Sequence, residues 1–85
     1  MELNIYAMFD KLDGCHKALV THRSDARAIR TFMEEMDNFK QKNPSVKLDL
    51  SDFELHKLGT YDDVDGLIKP LNPVEVLSLA YPKEE

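Results

Sequence analysis

Arg23, Arg27 and Arg30 fall at i, i+4 and i+7, and His22 and Ser24 flank the first of them. In a helix begun at Ser24, Arg27 and Arg30 project together near the end where backbone N–H groups are free and the dipole is positive. Guanidinium forks beside free N–H groups suit a phosphate or a carboxylate. Lys17, on the segment just before, is close enough in sequence to join them. Lys17, Arg23, Arg27 and Arg30 are therefore the candidate nucleic-acid-binding residues. The plainer reading pairs Arg30 with Glu34 at i+4 on a solvated face. Tyr6, Phe9 and Tyr61 could stack on unpaired bases if they share a wet sheet face. Packing in the core or within hairpins is the simpler role for those rings.

A second group is acidic. "FDKLDG" at 9–14 and "YDDVDG" at 61–66 repeat an aromatic, an Asp, two variable positions and Asp-Gly. A calcium loop needs oxygen ligands at positions 1, 3, 5 and 12, with glycine at 6. With Gly66 at position 6, Tyr61 and Asn72 stand where two carboxylates are required. Gly14 fits worse, with Phe9 and Lys11 at ligand positions. Acid–base catalysis by paired carboxylates needs one of them desolvated, and these polar turns favour water. Asp side chains that bond nearby backbone N–H groups explain both stretches as turns. Asp62, Asp63 and Asp65 remain an alternative partner-binding surface. Cys15, His16, His22 and His56 lack the spacing of a zinc site. Cys15 has no helix N-terminus beside it to activate a thiolate. With no glycine-rich phosphate loop and no Gly-x-Ser-x-Gly, the expectation is a protein that is not an enzyme and takes neither metal nor cofactor.

The elements that must position these residues follow from periodicity. Leu3 to Phe9 reads as a strand, and Asp10 to Gly14 as a turn whose glycine takes positive φ. Cys15 to Thr21 returns, with Lys17, Leu19 and Thr21 on one face and Ala18 and Val20 on the other. Ser24 is a helix N-cap with Asp25 after it, although Arg27 stands where a capping box would want Glu. Ile29, Phe32, Met33, Met36 and Phe39 or Lys40 give the apolar stripe of a helix over about 24–41. Asn43-Pro44 closes it. Val46-Lys47-Leu48 is a candidate extended stretch. Phe53 to Thr60 alternates as a strand, Tyr61 to Gly66 turns, and Leu67 to Lys69 returns. Pro70 and Pro73 are expected to end regular structure, with a short strand or helical turn from Val74 to Tyr81. The prediction is an α+β domain: an antiparallel sheet of two β-hairpins packed against one α-helix, in the order β-β-α-β-β.

Composition bounds the rest. Eighty-five residues, 42% hydrophobic and 32% charged, make one globular domain, taken as 1–82 with a frayed tail at 83–85. A core this small makes a homodimer the expected state. No apolar run is long enough to span a membrane, and Met1-Glu2-Leu3-Asn4 lacks a basic leader. The single Cys15 fits a reducing cytosol. The net charge is −5, and all of it lies in residues 44–85, with four basic against nine acidic side chains. Residues 1–43 balance at seven of each. Long-range electrostatics therefore oppose nucleic acid, and any binding must be local, salt-sensitive and confined to the first half.

Three stretches carry a resemblance: Leu3 to Asp10, Ala28-Ile29-Arg30-Thr31-Phe32, and Asp52 to Asp63. In that order and spacing the chain resembles the small nonstructural proteins of gokushovirus-type microviruses, phages with circular single-stranded DNA. The match covers about residues 2–72. Lys17-Ala18-Leu19 replaces a Pro-Pro-Phe stretch frequent in that family, and Asp49-Leu50-Ser51 replaces a His-Pro. The resemblance implies an accessory protein in the bacterial cytoplasm that supports single-stranded DNA synthesis, by binding DNA or a phage or host replication protein. It supplies no catalytic residues, and only Arg30 of the basic group falls within a family motif. The rival expectation is a protein–protein module, a host-factor binder, a dimeric scaffold or a DNA mimic, acting through its acidic half.

Overall fold

The computed structural model describes residues 1–43, 45 and 50–79. The elements are β1 (Glu2–Asp10), β2 (Cys15–His22), α1 (Asp25–Lys42), a 3-10 turn (Leu50–Asp52), β3 (Phe53–Asp62) and β4 (Ile68–Leu79). The strands form one antiparallel sheet in the order β2-β1-β3-β4. The expected β-β-α-β-β plan is therefore the observed one. Since β2 and β3 both run antiparallel to β1, they run the same way as each other. The link between them must cross the sheet, and α1 makes that crossing over one face. The expected stretch at Val46-Lys47-Leu48 and the tail at 83–85 lie outside the described residues.

Burial follows from that order. β1 has a strand on either side, and Ile5, Tyr6 and Ala7 are buried in succession. Tyr6 turns toward the helix and packs with Ala28, Phe32 and Leu55, flanked by Met8, Ile29, Met36, Phe53 and Leu77. The stripe that docks is thus Ala28, Phe32 and Met36, one residue on each successive turn. Phe39, expected in the stripe, is exposed. Serine caps the helix as expected: Ser24 Oγ accepts the Arg27 N–H at 3.2 Å. At the other end the Asn43 backbone N–H and Nδ2 both donate to the Phe39 carbonyl, each at 3.0 Å.

Two expectations are corrected. Pro70 and Pro73 do not end regular structure, because β4 runs through both to Leu79. It is an edge strand, where a missing N–H can face away from the ladder. Pairing lapses there: Lys57 faces Glu75 and Gly59 faces Pro70, so Leu71 to Val74 sit opposite Leu58 alone. The clean alternation read in β2 also fails. Tyr6 faces Val20 while Met8 faces Lys17, which leaves one extra residue on β2 as a bulge. Ala18 takes it up with φ at 57°, in the left-handed region where a Cβ costs about 1 kcal/mol. Ala18→Gly should raise stability by about 0.5–1 kcal/mol. Chemical denaturation checks this, and an unchanged or lower midpoint counts against the strain.

Candidate functional site

The helix start splits the basic group. Ser24 is extended at φ −140° and Asp25 opens the first turn, so Arg23 just precedes the cap and Arg27 lies in the first turn of α1, where backbone N–H groups lack helical partners. Both arginines are exposed, and among the described residues neither faces a carboxylate within ion-pair distance. Arg30 Nε donates to Glu34 Oε1 at 3.3 Å on the solvated face, the i,i+4 pair that was the plainer reading. Lys17 is elsewhere, at the turn end of β2. Its Nζ donates to Asp10 Oδ2 at 3.1 Å and to Asp13 Oδ2. Arg23 follows the far end of that strand, roughly 20 Å away at the usual rise per residue. The Asp13 and Asp10 carboxylates raise the Lys17 ammonium above its ordinary value. In return the Asp10 carboxyl is lowered, by the Asp13 N–H first and then by Lys17. Only Arg23 and Arg27 of the four are available cations at the helix start.

The acidic turns are built by their own aspartates. Asp10 Oδ1 accepts from the N–H groups of Leu12 and Asp13 at 3.0 and 3.2 Å. Asp62 Oδ1 accepts from Val64 at 2.9 Å, and Asp65 Oδ1 from Leu67 at 2.9 Å. Asp63 Oδ1 accepts from the Met1 amine at 2.7 Å. The Val64 N–H holds the Asp62 carboxyl below its ordinary value, and the Asp63 hydrogen bond raises the Met1 amine. Gly14 and Gly66 take φ of 68° and 76°, the positive values that such turns require. Asp62 and Asp65 thus spend hydrogen-bonding capacity on the turn, and Asp63 on the Met1 amine, before any partner is met.

A third cluster, formed by residues far apart in the sequence, lies on the helix-free face. His16 Nε2 and His56 Nδ1 lie 2.9 Å apart, and His56 Nε2 lies 3.0 Å from Glu54 Oε1. Phe9 stacks nearly flat on His56, at 12° and 4.9 Å between centroids, and tilts against His16 at 4.9 Å. Glu54 and His56, two apart on one strand, were the signal. Their meeting with His16 depends on β1 separating β2 from β3, which no local pattern reveals. His22 turns to the other face, against Tyr6. Cys15 is exposed at the start of β2. Tyr6 is fully buried beneath the helix and is no stacking surface. Phe9 and Tyr61 do share the helix-free face.

A family model described as "Phage ORF5 protein" matches residues 3–81. The chain belongs to the phage ORF5 protein family. Searches of the curated proteins and of the solved structures found no match. The span matched to the phage ORF5 proteins takes in the helix start, both Asp-Gly turns and the histidine cluster. Among the described residues of this phage ORF5 protein, no helix is long and apolar enough to cross a membrane.

Proposed function

We propose that this phage ORF5 protein is a non-enzymatic accessory protein of a gokushovirus-type microvirus, working in the host cytoplasm. It supports production of viral single-stranded DNA by binding that DNA, with Arg23 and Arg27 as the phosphate contacts. One observation carries the reading: two guanidinium groups that meet no carboxylate among the described residues flank a serine-capped helix start. Charged forks and free N–H groups there suit a phosphate oxygen. Lys17 and Arg30 are secondary, because carboxylates already neutralise them. The net charge of −5 makes the contact short-ranged and strongly salt-dependent.

A second reading rests on a different feature. Ile68, Leu71, Val74 and Val76 line the outer strand β4 and are all exposed. Such an apolar edge favours self-association or capture of a replication protein over direct DNA contact.

Light scattering after size exclusion, with and without a single-stranded oligonucleotide at low and moderate salt, separates the two. The expected result is a complex at low salt that Arg23→Glu with Arg27→Glu weakens about tenfold or more, while Arg30→Ala changes little. A dimeric mass unchanged by DNA supports the second reading. Absence of any DNA complex at low salt sinks the first.

A further inference from the structure

The histidine cluster plays no part in the reading above, yet it holds a buried titratable group. His56 is 6% exposed, with both ring nitrogens engaged. Its partner His16 lies on the edge strand β2, and β1 runs between their strands. The bond therefore ties an edge strand to a strand that is not its neighbour. Ala7, opposite His56 and 1% exposed, is small enough to leave the rings room to meet.

The proton count of the pair decides whether that bond exists. An ionised carboxylate only accepts, so His56 presents Nε2–H to Glu54. With both rings neutral, His56 Nδ1 accepts and His16 donates through Nε2–H. One added proton preserves the bond. Either a charged His16 donates to His56, or a charged His56 donates through Nδ1–H to a neutral His16. With two added protons, N–H faces N–H at 2.9 Å and two cations meet. No satisfied arrangement remains.

We infer that His16 and His56 form a proton-operated latch. It keeps the turn end of the β1–β2 hairpin closed while one ring is neutral, and it releases when both are charged. Among the described residues, the other charged groups around the pair are few. On β3 the Glu54 Oε1 carboxylate oxygen lies 3.0 Å from His56 Nε2, and Lys11 Nζ lies 4.0 Å from Glu54 Oε2. β1 contributes the uncharged Ala7 and Phe9. β4 places Val76 opposite His56, and α1 packs on the other face of the sheet. Asp10 points to that other face and is engaged by Lys17 and the turn amides. Release uncovers Ala7 and the part of the Phe9 ring that His16 and His56 cover.

Side-chain ¹⁵N NMR and amide hydrogen exchange on the full chain test the latch between about pH 7.5 and about pH 5, where imidazoles charge. At the upper end His56 should carry its proton on Nε2. On acidification, amides at the start of β2 should lose protection about tenfold, after correction for intrinsic exchange rates. His16→Asn, at an exposed position that tolerates change, should show that lower protection at every pH and no acid step. Two results overturn the latch: both rings charged with β2 still protected, or the same acid step in His16→Asn.

Discussion

A single methyl group added at position 59 is expected to cost this domain a large part of its stability. Gly59 lies in β3 opposite Pro70, where the β3–β4 ladder has just resumed after its four-residue excursion. A Cβ built there overlaps the Lys69 carbonyl oxygen and comes within 3.0 Å of Pro70 Cα. Both obstacles are backbone, so no side-chain rotation relieves them. Either β4 moves away, losing ladder bonds, or β3 shifts against the centre of the sheet. Overpacking of this kind costs about 1–3 kcal/mol, and a backbone obstacle belongs at the upper end. For a domain of this size, about 2–3 kcal/mol lowers Tm by about 8–24 °C. Thermal unfolding of Gly59→Ala followed by circular dichroism checks it. A Tm within a few degrees of the parent means the close approach is not maintained in solution. At Gly14 and Gly66 a Cβ meets open space, and the cost of a substitution there is instead the positive φ of 68° and 76°.

Tyr6 is the other position where a large effect is expected. Its ring is fully buried at the centre of the core, and its hydroxyl donates to Asp25 Oδ1 at 2.6 Å. Lys57 Nζ lies 3.3 Å from the same oxygen. One carboxylate in the first helical turn thus joins α1 to β1 and β3. Tyr6→Ala removes ring and clamp together and should cost about 3–5 kcal/mol, enough to unfold a marginal small domain. Tyr6→Phe keeps the packing and removes the hydroxyl alone, for about 1–2 kcal/mol. Urea titration of the pair separates these parts. If Tyr6→Phe proves as damaging as Tyr6→Ala, packing is not the main contribution. Burial, and then the Asp25 bond, push the phenol up to about 12 from an ordinary value of 10. A group raised in the folded state contributes stability that is full below its unfolded value. The Tyr6 contribution should therefore hold up to about pH 10 and fade as pH rises through about 12. Tyr6→Phe should lack that alkaline loss.

The elements that local chemistry specifies were readable from the chain. The Asp-Gly turns, the Ser24 cap, the stripe through Phe32 and Met36, and the alternation in β3 as far as Lys57 each depend on residues a few positions apart. Beyond Lys57, Leu58 is an extra residue opposite β1, and the expected alternation to Thr60 breaks. What escaped depends on strands far apart in sequence. The reach of β4 through two prolines relies on its edge position, which lets a proline keep its place without a donor. The left-handed Ala18 answers to a bulge set by β1. The histidine pair needs β1 between β2 and β3, and the spacing of Cys15, His16, His22 and His56 carries no trace of it. Of the basic group, the sequence marks the arginines at the helix start. It could not show that Lys17, seven residues after Asp10 and four after Asp13, is held by both carboxylates.

The central place of β1 also governs when the molecule can become one. β1 is made before β3 and must wait for it, since Glu2 pairs with Asp62 and Asp10 with Phe53. During synthesis the β1–β2 hairpin and α1 leave the ribosome with one side of β1 unpaired and Leu55 missing from the underside of the helix. Until that late segment arrives, the growing chain carries an open strand edge beside an uncovered apolar stripe. Its cooperative folding therefore waits until β3 has left the ribosome, and the interval before that is when chaperones have most to protect.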